Sequence, residues 1–108
     1  MNEAYLAKVS RSKAPKKFSI VKHILSYLLR GARSGYDNAL LCEKLNAHGI
    51  KPLVADRWTP NSVAMQFLFI ARLDEANSLA RGFTYLLRTG DATLDDLVLI
   101  QSRTKQGQ

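Results

Sequence analysis

Apolar side chains recur at three- and four-residue steps from Phe18 through Val21, Ile24, Leu25 and Leu28 to Leu29. That spacing predicts a helix over residues 16–30 with one buried face. Lys22, Ser26 and Arg30 fall on the other side, and Gly31 and Gly35 are expected to end the helix. A second helix is predicted from Asp37, a suitable N-cap, to His48, with Leu40, Leu41 and Leu45 as its stripe, Cys42 beside them and Gly49 as its stop. Residues 50–58 follow neither period. Pro52 excludes helix interior, so the segment reads as an extended loop or a minimal two-stranded β-wing turning near Ala55–Asp56.

Thr59–Pro60 is the sharpest local signal in the chain. Thr59 can cap a new helix, and Pro60 lacks an N–H at a position where none is needed. The helix is predicted to run to about Leu73, with Val63, Phe67, Ile70 and Ala71 inside and Ala64 and Leu68 beside them. Asn61, Ser62, Met65, Gln66 and Phe69 are left facing outward. A fourth helix is predicted over residues 74–89, with Leu79, Ala80, Phe83, Leu86 and Leu87 inside, Gly82 as a weak point and Gly90 as its stop. Thr93 and Asp96 have capping-box spacing, with Asp in the usual place of Glu or Gln. The last helix, from about Leu94 to Ser102, is expected to bury Leu94, Leu97 and Val98, with Gln101 at the edge of that face.

The expected fold is therefore all-α, with five or six helices and a helix-turn-helix-like unit. Residues 1–16 are expected to form a basic, largely flexible arm broken near Pro15, residues 17–102 one domain, and residues 103–108 a frayed tail.

The net charge of +7 sharpens this picture through its placement. Residues 1–36 hold eight basic side chains against Glu3 alone, which accounts for the whole excess. Such an asymmetry suggests a polyanionic partner. The single cysteine, Cys42, excludes an intrachain disulfide, and one Cys with two His at no zinc spacing gives no metal site. No cofactor is expected. No apolar run is long enough to span a bilayer, and Met1–Val9 lacks a signal pattern, so a cytoplasmic protein is expected. His23 and His48 read as surface or helix-end residues, and Asp95 and Asp96 as favourable charges at a helix start. Tyr27, Tyr36 and Tyr85 each lack the Arg and His cluster that a tyrosine nucleophile requires. No enzymatic constellation is present, and a non-enzymatic protein is expected.

Leu45, Asn46, Gly49, Ile50, Trp58, Thr59, Val63, Phe67 and Leu68 stand in a recognisable order. A helix ends in Leu–Asn–x–x–Gly–Ile, a short insertion comes next, and Trp–Thr opens a helix with a buried Val. This resembles the DNA-binding "recombinase" domain of large serine recombinases, over about thirty of the 108 residues, within residues 38–72. The insertion carries Ala55–Asp56 where that family usually has glycine, and no catalytic domain accompanies the unit. The resemblance implies a DNA-binding module without recombination activity.

On that reading Asn61, Ser62, Met65 and Gln66 would meet base edges in the major groove of double-stranded DNA. Lys13, Lys16, Lys17, Lys22, Lys51, Arg57 and Thr59 would contact the backbone, and Trp58, Val63 and Phe67 would be structural. A basic arm including Arg11 could track a minor groove. One reading helix covers few base pairs, so a homodimer through helices 74–102 is expected. The leading expectation is a sequence-specific transcriptional regulator of a phage, plasmid or other mobile element. The alternatives are an architectural or directionality factor partnered with a site-specific recombinase, and a helical adaptor or inhibitor that binds protein or RNA.

Overall fold

The computed structural model describes residues 14–106, with side chains from Phe18 to Thr104. Five helices account for most of it: α1 (Ala14–Arg33), α2 (Asn38–Ala47), α3 (Pro60–Ala71), α4 (Ser78–Thr89) and α5 (Leu94–Gln106). The fold is all-α, as expected, and no strand occurs among the described residues. The β-wing alternative for residues 50–58 is therefore corrected to an irregular loop. Without a partner edge, so short a ribbon has too little to stabilise it.

α1 begins two residues earlier than predicted, because Pro15 is tolerated in a first turn. The helical segment thus takes up part of the expected arm. Val21, Ile24, Leu25, Leu28, Leu29 and Ala32 are buried, whereas Phe18, also expected inside, is 41% exposed. Phe18 instead meets Tyr85 edge-on, with ring centroids 5.5 Å apart. Gly31 does not end the helix. It lies within α1, where a Cβ would collide with the Leu41 side chain, so it lets α2 approach closely. The stop is Gly35, at φ +76°, with Tyr36 N donating back to Gly31 O at 2.9 Å.

α2 starts as predicted, Asp37 Oδ1 accepting from Leu40 N at 2.8 Å. It buries Leu41, Cys42 and Leu45, while Leu40 stays exposed. α3 ends where Leu73 adopts φ +51°, a left-handed stop made without glycine. The turn after it moves the start of α4 from the predicted residue 74 to Ser78, capped by Asn77 Oδ1 accepting from Ala80 N at 2.9 Å. Gly82 sits against Val21 and Leu25, where a Cβ would lie 2.6–2.8 Å from their side chains. Its value is the close approach of α1 and α4, which outweighs its helix-propensity cost.

α5 departs furthest from expectation. Asp96 and Ile100 are buried, as is Ala92 just before the helix, whereas Leu94 and Val98 are 71% and 62% exposed. The inward face is set by Asp96, whose carboxylate meets Arg33 of α1 through two bonds, Nε to Oδ1 at 2.8 Å and Nη2 to Oδ2 at 2.7 Å. α5 also continues past Ser102, with Arg103 and Thr104 half-buried, so these residues belong to the helix and not to a frayed tail.

α3 is the centre of this arrangement. It packs on α2, α4 and α5, with the most extensive contact to α5, and α1 closes the core across α2, α4 and α5. Gln101 of α5 donates to Ala71 O at 3.2 Å, satisfying a carbonyl at the end of α3.

Candidate nucleic-acid interface

The loop between α2 and α3 is held by one indole and one amide. Trp58 is 2% exposed, and its Nε1 donates to Ile50 O at 2.8 Å. Asn46 forms a reciprocal pair with the backbone of the same residue. Trp58 N donates to Asn46 Oδ1 at 2.8 Å, and Asn46 Nδ2 donates to Trp58 O at 2.9 Å. The Cys42 thiol adds a contact to the same carbonyl at 3.2 Å. Buried polar groups must find partners, and here one side chain closes both backbone groups of the residue that enters α3. Asn46, Ile50 and Trp58, three residues of the sequence pattern, thus form one knot.

That knot delivers Thr59 and Pro60 to the surface. Thr59 Oγ1 accepts from Ser62 N at 3.1 Å, and Ser62 Oγ accepts from Thr59 N at 2.9 Å while donating to Thr59 O at 2.9 Å. The result is a reciprocal capping box in which serine takes the part usually given to Glu or Gln.

The predicted base-reading residues fare differently. Asn61 is exposed at the first turn of α3. Met65 lies one turn further on and is 39% exposed. The Ser62 hydroxyl is engaged in the cap and has no free hydrogen to offer a base. Gln66 is half-buried, and its Oε1 accepts from Asn77 Nδ2 at 3.3 Å, which ties it to the start of α4. Phe69 is half-buried, while Val63 and Phe67 lie in the core. The fully exposed surface of α3 is thus a narrow strip at its N-terminal end, because α2, α4 and α5 cover the remainder at least in part.

Of the predicted backbone contacts, Lys51 and Arg57 are exposed on the loop and line one shallow cleft with Asn46, Gly49, Ile50 and Asp56. Lys22 is exposed on α1, its Nζ 5.7 Å from the Phe18 ring centroid. Lys13 and the side chains of Lys16 and Lys17 lie outside the described residues.

A feature missed at the sequence level joins these parts. His23, Tyr27 and His48 form a ladder of rings, each neighbouring pair 5.6 Å apart at their centroids. Arg30 lies over Tyr27 at 5.7 Å. The ladder carries the basic face of α1 onto the end of α2, next to Gly49 and the Lys51–Arg57 cleft. The spacing of His23, Tyr27 and Arg30 on one helix was a readable signal, since residues three and four apart share a face. His48 could be added only through the packing of α2 on α1.

Among the described residues no group of three or more His, Cys, Asp or Glu could hold a metal ion. No helix among them is long and apolar enough to cross a membrane. Comparison with protein-family models, with curated proteins and with solved structures gives no match.

Proposed function

We propose that the protein is a non-enzymatic binder of double-stranded DNA. The open N-terminal end of α3 reads the major groove, and Lys22, Arg30, Lys51 and Arg57 contact phosphates. The observation that carries this reading is the continuity of the surface. The His23–Tyr27–His48 ladder with Arg30 leads from the basic helix to the loop cations, and the loop leads directly to Asn61. Asn61 is suited to paired hydrogen bonds with adenine, Met65 to apolar contact with a thymine methyl. The Asn61 N–H, the one first-turn donor left outside the cap, favours a nearby phosphate. The resemblance of the Leu45–Leu68 pattern to serine-recombinase DNA-binding domains supports the same conclusion, and with it a role as a regulator from a mobile element.

The narrowness of the exposed strip on α3 favours one second reading, a sequence-tolerant architectural factor for a recombinase. With Ser62 in the cap and Gln66 tied to Asn77, few side chains remain to read bases. A homodimer through α4 and α5 belongs to the proposal in either form. Leu94 and Val98, one turn apart and mostly exposed, give those helices an apolar face to pair.

Selection of bound duplexes from a random pool tests the proposal. A regulator enriches a defined site, palindromic if the protein binds as a dimer, and Asn61→Ala lowers the preference for that site. Retention without enrichment points to the architectural role. No duplex retained at low salt would sink both.

A further inference from the structure

A second cleft, of about 210 Å³, opens beside α3. Asn38 at the start of α2, Met65, Phe67 and Leu68 of α3, Arg72 just after it, and Arg103 of α5 are among its walls. Two arginines line it and no carboxylate does. Arg103 is held firmly in place. Its Nη2 donates to Asn38 Oδ1 at 3.0 Å, and its guanidinium lies 4.5 Å from the centroid of the Phe67 ring. Its Nε is buried without a partner among the described residues. Burial pushes the guanidinium below its ordinary value, and the Asp37 carboxylate offsets this only in part. Neither arginine has a carboxylate at ion-pair distance among the described residues; the ion pair found there joins Arg33 to Asp96.

A cation stripped of part of its water and given no ion-paired counter-charge is costly to keep, and an anion in the cleft would supply that charge. Arg103 is also already oriented, so binding would order one fewer long side chain. Met65 and Leu68 give the cleft an apolar floor that an inorganic ion would leave uncovered.

We propose that this cleft binds a small organic anion, with its carboxylate or phosphate held by Arg72 and Arg103 and its apolar body resting on Met65 and Leu68. The site goes beyond the DNA-binding reading and does not depend on it, though Met65 borders both surfaces. Benzoate and phenyl phosphate are the probes, titrated against the full chain while amide and methyl NMR signals are recorded. One of them should give saturable shifts at Met65 and Leu68 with a Kd below about 10 mM, and the tighter of the two identifies the acidic group. Acetate and inorganic phosphate lack the apolar body, and benzyl alcohol lacks the charge. Each should bind at least about tenfold more weakly. Arg72→Gln alters an exposed side chain and should weaken the better probe about tenfold or more, the usual loss for a charge-assisted hydrogen bond. Arg103→Lys, which keeps the charge and loses the fork, should weaken it as well. The proposal is overturned if neither probe saturates at these residues, if the small anions bind equally well, or if Arg72→Gln leaves the affinity unchanged.

Discussion

Thr59 and Thr93 each accept a hydrogen bond from the backbone N–H three residues on, and each is answered by the side chain at that position. At the start of α3 the answering residue is Ser62, a neutral hydroxyl 2.9 Å from Thr59 N. At the start of α5 it is Asp96, whose Oδ2 accepts from Thr93 N at 2.9 Å. The difference in charge gives the two helix starts different surroundings. The Asp96 carboxylate draws Arg33 from α1 into a two-bond pair and becomes buried, 6% exposed. The start of α5 is thereby tied to α1, although Leu94 and Asp95 beside the cap stay exposed. Ser62 draws no neighbour, and Pro60 and Asn61 beside it remain exposed. A helix start suits a polyanion where its cap satisfies it without a carboxylate, and α3 meets that condition while α5, with Asp95 and Asp96 in its first turn, does not.

The comparison can be broken most severely by removing what aims α3. Trp58→Ala leaves a cavity and an unpaired Ile50 carbonyl and should destabilise the fold by about 3–5 kcal/mol in urea melts. Duplex binding should fall with it. Next in size, Asp96→Ala removes both the cap and the cross-link to α1 and should cost about 1–3 kcal/mol; Arg33, half-exposed, is then free to hydrate. Ser62→Ala removes only a cap and should cost about 0.5–1 kcal/mol. Equal losses for these two variants would contradict the division of roles. Asn61→Ala should change stability by less than about 0.5 kcal/mol while reducing duplex specificity, since the side chain is exposed and free of the cap.

Acid sharpens the same contrast. The Arg33 hydrogen bonds hold the Asp96 carboxyl at about 2, against an ordinary value of 3.8, with the Thr93 N–H assisting and burial opposing. A lowered carboxylate pKa stabilises the fold fully above 3.8, and the contribution is lost as pH falls toward 2. With Arg33 half-exposed, the loss should be about 1–2 kcal/mol. Urea melts across that window should show it in the wild type and not in Asp96→Asn. The α3 cap contains no titrating group, so Ser62→Ala should leave the slope unchanged.

The legible parts of the fold were those set by local chemistry. Asp37, Thr59 and the Thr93–Asp96 pair mark helix starts whose caps lie within three residues, and the apolar stripe of α1 from Val21 to Leu29 needs no partner to be seen. The misread parts depended on distant residues. Periodicity placed Leu94 and Val98 inside, because a buried carboxylate at Asp96 makes sense only once Arg33, 63 residues away, is known to meet it. Gly31 read as a stop, although its role is to admit Leu41. Leu73 carried no sign of a left-handed stop, since leucine rarely takes that geometry, which here closes with Asp74 N donating to Phe69 O at 3.1 Å. In the candidate site, Trp58 and Asn61 were legible as a loop anchor and an outward residue. Ser62 and Gln66 were not, because their hydrogen bonds go to the cap and to Asn77. The His23–Tyr27–His48 ladder was legible only in its α1 half.

On the proposed reading, the basic face of α1, the loop cations and the start of α3 act as one DNA-binding surface. The salt dependence of duplex affinity tests it most directly, compared between the wild type and a variant with Lys22, Arg30, Lys51 and Arg57 all changed to Ala. All four side chains are exposed, so the fold should persist. Each phosphate that the variant no longer neutralises flattens the slope of log K against log salt by about one unit. The slope should fall by about three to four units with the urea midpoint preserved. An unchanged slope would show that DNA, if bound at all, lies elsewhere on the molecule.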